Sequence, residues 1–235
     1  MYTPVVFFDI GATLIEGPAF TPAQQIATRL GFSDTTRRRL DQQLLTSMIN
    51  TPDALVALLM SAYAVPAKTA ADLATMIWQS QIEGPKTVPG GMELLSALRA
   101  TGIQYGFISN IWFPYATTFA RLYGKLAETD LAFFSFRAGL MKPDLGLFQK
   151  AIATANCLPR ACIMIGDSYD SDIRPAIALG MQTVWFLCRP AKEQLGLERV
   201  RQKIFPTPNK VVSSLIGLNV ATVVSLTTEA KMPCN

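Results

Sequence analysis

Short apolar runs punctuate the chain, and each is followed by a segment of mixed polarity. Val5-Val6-Phe7-Phe8 is the first, closed by Gly11, and it reads as a buried strand. Ile103 to Ile108 is a second, Leu131 to Phe136 a shorter third, Ala161 to Ile165 a fourth and Gln182 to Leu187 a fifth. Lys210-Val211-Val212 adds a candidate edge strand. Helical periodicity fills the intervals. Met92 to Ala100 carries apolar residues at Met92, Leu94, Leu95 and Leu98, with Gly102 as a stop. Leu145 to Ala155 and Asp170 to Leu179 follow the same pattern, the latter ending at Gly180. Strands that are apolar throughout and alternate with helices predict a parallel sheet covered on both faces.

The interval between the first two strands breaks the alternation. It reads as four helices, over Pro22 to Leu30, Thr36 to Ile49, Pro52 to Ala62 and Ala67 to Gln81, with prolines marking their starts. Four helices exceed one crossover, so residues 18–85 are expected to form an inserted helical domain. Residues 1–17 and 86–235 would form the α/β domain, with Gly17-Pro18 and Gly84-Pro85 at the linkers. The tail from Asn219 is weakly patterned and is expected to be loosely held.

Composition narrows the chemistry. Histidine is absent from all 235 residues, which excludes imidazole bases, His-ligated zinc and Ser–His or Cys–His catalysis. The four cysteines, Cys157, Cys162, Cys188 and Cys234, form no C-x-x-C and read as reduced thiols of a cytoplasmic protein. The net charge is +4, and the one basic run, Arg37-Arg38-Arg39, reads as a solvated helix face rather than a nucleic-acid or membrane patch. No signal peptide or spanning segment is visible, so a soluble protein is expected.

In a parallel sheet, chemistry gathers beyond the carboxyl ends of the strands. The first strand ends at Asp9, the second at Ser109 and Asn110, and the fourth at Gly166-Asp167-Ser168-Tyr169-Asp170-Ser171-Asp172. Lys142 precedes a helix. Two carboxylates about 4 Å apart repel by roughly 4 kcal/mol at an effective dielectric of 20, so Asp9, Asp167 and Asp172 together require cations. Lys142 supplies one. A hard divalent ion held by oxygens, Mg²⁺, is the simplest further answer, and no His or thiolate cluster favours zinc. The hydroxyl, amide, ammonium and helix N-termini would form an anion pocket, leaving Asp9 as a nucleophile able to form an acyl phosphate.

These features, in this order, resemble the haloacid dehalogenase-like (HAD) hydrolase superfamily. The motifs are Asp9-x-x-x-Thr13, Ser109 after an apolar strand, Lys142-Pro143, and Gly166-Asp167-Ser168-x-x-x-Asp172. The resemblance covers roughly residues 4–16 and 88–216 and implies a Rossmann-like α/β fold with an inserted helical cap of the first type. It implies a phosphatase of small phosphorylated metabolites, monomeric or homodimeric. Asp9 would be nucleophile and metal ligand, and Ser109 and Lys142 would hold phosphoryl oxygens. Asn110 would touch substrate. Asp167, Asp172 and the Gly11 carbonyl would complete the Mg²⁺ site.

Gly11 departs from the family pattern, in which most phosphatases carry a second Asp there as general acid and base. The lost carboxyl is expected to cost about 10²–10⁴ in rate where the leaving group needs a proton. Gly11 keeps three other readings open: a binding or scaffold protein without turnover, a dehalogenase, and a phosphonatase-type hydrolase. The acidic fourth motif argues against the dehalogenase. The early helical insertion lacks the lysine that the C–P enzymes use.

Overall fold

The computed structural model describes residues 3–229. The chain opens with β1 (Val5–Phe8) and the two-residue β2 (Ile15–Glu16), then α1 (Pro22–Leu30), α2 (Asp34–Thr46), α3 (Pro52–Tyr63) and α4 (Ala67–Glu83). It returns through β3 (Lys86–Thr87), α5 (Gly91–Ala100), β4 (Gln104–Ser109), α6 (Phe113–Tyr123), β5 (Ala132–Phe134) and the single turn α7 (Ser135–Ala138). It ends with α8 (Leu145–Thr154), β6 (Cys162–Gly166), α9 (Arg174–Ala178), β7 (Gln182–Phe186), α10 (Gln194–Arg201), β8 (Lys210–Val212) and α11 (Val220–Glu229).

Six strands form one sheet in the order β5-β4-β1-β6-β7-β8, with every pairing parallel. Successive side chains point to opposite faces. Val6, Phe8, Phe107, Ile163 and Ile165 therefore pack on one side, and Val5, Phe7, Ile108, Cys162 and Met164 on the other. Both faces are buried under helices, which explains why these strands read as unbroken apolar runs.

The helices between β2 and β3 carry strong local signals. Thr21 and Gln24 form a reciprocal capping box at the start of α1, with Pro22 in its first turn. Thr51 caps α3 ahead of Pro52, and Ser33 caps α2. Their apolar stripes, including Ile26, Leu40, Leu55, Leu59, Leu73 and Ile77, meet in a core of their own, joined by Trp112 from the sheet side. β2 and β3 pair antiparallel, Ile15 opposite Thr87, and tie together the two connections to this helical unit. Arg37 and Arg38 pair with Asp34 on α2 at 2.6 and 2.8 Å, as a solvated helix face requires.

Two expectations need correction, and one helix was not predicted. Leu131 to Phe136 is strand only over β5, because the chain turns into α7 with Ser135 and Phe136 buried. Phe113 to Tyr123 forms a helix where aromatic and Thr residues gave little helical signal; Phe119 and Tyr123 are drawn into the core. The tail is not loosely held as far as it is described: Val223 and Leu226 of α11 are buried in the same core. The remainder of the tail, including Cys234, lies outside the described residues.

Candidate active site

β1 is the centre of the site because it lies between β4 and β6. Phe8 sits opposite Phe107 and Ile165, so the next residue, Asp9, emerges level with the ends of both neighbours. The Asp9 amide donates to the Ile165 carbonyl at 2.9 Å and keeps the strand in register to its last residue. Beyond it the chain turns sharply. Ala12 takes a left-handed φ of 59° and its amide donates to Ile15 at 2.7 Å. Thr13 closes the turn with a 3.4 Å contact to Asp9 Oδ2.

Lys142 organises the charges. Its ammonium is buried and donates to Asp9 Oδ1 at 2.6 Å, Asp172 Oδ1 at 2.5 Å and the Ile108 carbonyl at 2.9 Å. Three acceptors match the three protons of an ammonium. Burial by itself would lower the Lys142 pKa; the charges of Asp172 and Asp9 outweigh it and hold that pKa above the ordinary lysine value. Ser109 donates to the same Asp9 Oδ1 at 3.0 Å.

Asn110 grips the lysine from behind. Its Nδ2 donates to the Lys142 carbonyl at 2.8 Å, and its Oδ1 accepts from the Lys142 amide at 2.7 Å. The sequence gives Asn110 an expected substrate contact; the structure shows it as the clamp that fixes Lys142. Ser135 ties the loop after β4 by accepting from the Ile111 amide at 3.0 Å and donating to its carbonyl at 3.1 Å.

The fourth motif folds as a tight turn over residues 169–173. Asp172 Oδ2 accepts from the Ser168 amide at 3.0 Å, which brings this carboxylate back under the end of β6. A Cβ on Gly166 would collide with the Asp172 carboxyl, so glycine is required there. Asp144 and Asp170 stand apart from this cluster and act locally. Asp144 caps α8 through the Gly146 amide at 2.7 Å, and Asp170 pairs with Arg174 at 3.2 Å.

Asp9, Asp167 and Asp172 are all buried, and one oxygen from each lies within 4.8 Å of the others. A compact, all-oxygen donor set of this kind fits a hard divalent cation. Burial, reinforced by the charge of Asp9, raises the Asp167 carboxyl to about 6 against the pull of Arg189 and Lys142. Burial raises Asp172 to about 7 despite Lys142.

Arg189 was missed from sequence. Its guanidinium holds Asp167 Oδ2 through Nε at 3.1 Å and through Nη2. The signal was available, since Arg189 lies just beyond the end of β7, on the functional edge of the sheet.

A cavity of about 840 Å³ opens beside these groups. Gly11, Asn110, Arg189 and Lys192 line it from the sheet side, and Leu44 and Gln81 from the helical unit. Trp112 and Tyr115 line it as well and also pack into the helical core. Trp112 stacks edge-on against Trp78, with ring centroids 5.5 Å apart. At Gly11 an added Cβ would meet only Tyr115, at 4.0 Å, so nothing steric demands glycine there.

Comparisons with known proteins find similar sequences and the same fold. The HAD-hydrolase-like family model matches residues 140–215. The chain is 28% identical over 138 residues to haloacid dehalogenase-like hydrolase domain-containing protein 3 of Xenopus laevis, covering 56% of this chain and 53% of that one. It is 32% identical over 107 residues to the glyceraldehyde 3-phosphate phosphatase of Pyrococcus furiosus, covering 43% and 42%. The chain thus spans about half the length of the curated relatives it matches. A HAD family hydrolase from Deinococcus radiodurans, solved with bound phosphate and sodium, shares the fold with a TM-score of 0.61 at 22% identity, over 96% of this chain and 97% of that one.

Proposed function

We propose that this chain is a haloacid dehalogenase-like hydrolase, a Mg²⁺-dependent phosphatase of small phosphorylated metabolites that works through an aspartyl phosphate on Asp9. The observation that carries the reading is the buried cluster of Asp9, Asp167 and Asp172 around the Lys142 ammonium. Relatives at partial coverage named as phosphatases support it.

Asp9, Asp167 and Asp172 would hold the Mg²⁺, with the Gly11 carbonyl as a further oxygen ligand. When bound, the ion neutralises phosphoryl charge and orients the phosphate. The Asp9 carboxylate attacks phosphorus, the ester P–O bond breaks and the alkoxide leaves. Water then attacks the acyl phosphate, releasing inorganic phosphate and regenerating Asp9. Lys142 and Ser109, both on Asp9 Oδ1 in the empty site, would turn a proton from it to phosphoryl oxygens beside the nucleophile. The four-helix unit would act as a cap that excludes water and selects the substrate from the cavity's far wall.

Gly11 supplies no carboxyl to protonate the leaving group, so solvent must do so. The enzyme then favours good leaving groups. Position 11 has room for a Cβ, and Gly11→Asp is expected to raise turnover of poor leaving groups by about 10²–10⁴. A binding protein without turnover is the second reading, and Gly11 is the observation that favours it. The test is phosphate release from acetyl phosphate and a panel of phosphomonoesters, with Mg²⁺, with chelator, and with Asp9→Asn. Mg²⁺-dependent release abolished by Asp9→Asn supports the phosphatase. No release from any compound assigns the chain to the second reading.

A further inference from the structure

Three buried carboxylates face two cations in this site. Lys142 bridges Asp9 and Asp172, and Arg189 holds Asp167. With all three acids ionised, the centre carries a single net negative charge, one less than a divalent cation demands. Both Arg189 contacts fall on Asp167 Oδ2. The guanidinium therefore stands beside a carboxylate of the proposed metal centre, and its charge repels an entering cation. Arg189 is also nearly half exposed, while Asp167 is buried. It lines the cavity together with Lys192, so it faces the space a substrate would occupy. A bound phosphate dianion reverses the balance, because the centre then needs more positive charge than Mg²⁺ and Lys142 provide.

We propose that Arg189 couples cation binding to phosphate binding: its charge weakens Mg²⁺ binding while the cavity is empty and favours the site once a phosphate is present. The proposal rests on the metal-site reading above. Coupling of this kind is reciprocal, so each ligand tightens the other by the same factor. It would keep the ion from being held tightly in a substrate-free site and make the anion part of metal recognition.

The test is calorimetric titration of Mg²⁺ into the wild-type chain, Arg189→Gln and Arg189→Lys, each with and without inorganic phosphate. Thermal unfolding in chelator would confirm that both variants fold. Arg189→Gln is expected to bind Mg²⁺ alone about tenfold more tightly than wild type. It should also lose most of the enhancement that phosphate gives the wild type. Arg189→Lys, which keeps the charge, should stay close to wild type in both respects. Unchanged or weaker Mg²⁺ binding by Arg189→Gln overturns the proposal and leaves the metal site standing. Absence of Mg²⁺ binding by the wild-type chain, with and without phosphate, overturns the metal-site reading and the proposal with it.

Discussion

The edge of the sheet and the helical unit above it are held together by opposite means. At the sheet edge, Asp9, Ser109, Lys142, Asp167 and Asp172 are all buried, and each is fixed by hydrogen bonds to partners distant in sequence. The helical unit is held by a core of aliphatic side chains. Gln81 is its buried polar side chain among the described residues: Gln81 Oε1 accepts from Trp112 Nε1 at 3.2 Å, and its carbonyl accepts from Thr118 Oγ1 at 2.9 Å. Charge clusters are costly to assemble and intolerant of losing one member. Apolar cores shed single groups at a graded cost. The first design suits a centre whose geometry must not vary. The second tolerates changes in its lining.

Substitutions at the two regions separate these designs. Lys142→Ala leaves Asp9 and Asp172 buried without their shared cation. It is expected to cost about 3–5 kcal/mol in denaturant unfolding with chelator present and to abolish turnover. Leu59→Ala, within the helical core, is expected to cost about 2–5 kcal/mol while leaving Mg²⁺ affinity by calorimetry unchanged. A loss of Mg²⁺ affinity in this variant would show that the two regions are not independent.

Gln81→Ala leaves the Trp112 indole N–H unpaired in a buried setting and should cost about 1–3 kcal/mol in the same unfolding assay. If the helical unit moves against the sheet during turnover, this variant should also change KM more than the stability loss alone explains. A KM equal to wild type would place Gln81 in a purely structural role.

The smallest effect is a slope. Burial raises Asp167 and Asp172 from an ordinary value of 3.8 to about 6 and about 7 in the folded chain. The folded state therefore holds these protons more tightly than the unfolded state. Their contribution to stability is complete below about pH 4 and is lost as pH rises through 6 to 7. Thermal unfolding with chelator should show Tm falling over that window, and Mg²⁺ should flatten the fall. A Tm that rises through the same window would contradict the arrangement of the site.

The same contrast explains what could be read from sequence. The strands are apolar runs that stop at residues able to do chemistry, so Asp9, Ser109, Asp167 and Asp172 stood out before any geometry was known, and Lys142-Pro143 stood out ahead of a helix. α1 and α3 were equally plain because Thr21-Pro22 and Thr51-Pro52 are local start signals. α6 and α11 were not legible. Phe113 to Tyr123 is rich in aromatic residues and Thr, and Val220 to Leu226 is rich in Val, which are indifferent helix formers. Burial of Phe119, Tyr123, Val223 and Leu226 decides their conformation, and that burial depends on partners far away in the chain. Arg189 escaped for a related reason. A lone arginine after a strand is ordinary until β7 is known to end beside Asp167. The clamp that Asn110 places on Lys142 spans 32 positions and leaves no local trace.

The central claim is that Asp9 becomes covalently phosphorylated, and borohydride trapping during turnover tests it most directly. The enzyme would be quenched with borohydride while hydrolysing acetyl phosphate in Mg²⁺, and its peptides examined by mass spectrometry. The account predicts reduction of the Asp9 side chain to an alcohol, dependent on both substrate and Mg²⁺, with Asp167 and Asp172 unmodified. Phosphate release with Asp9 unreduced, or reduction at another carboxylate, would contradict it.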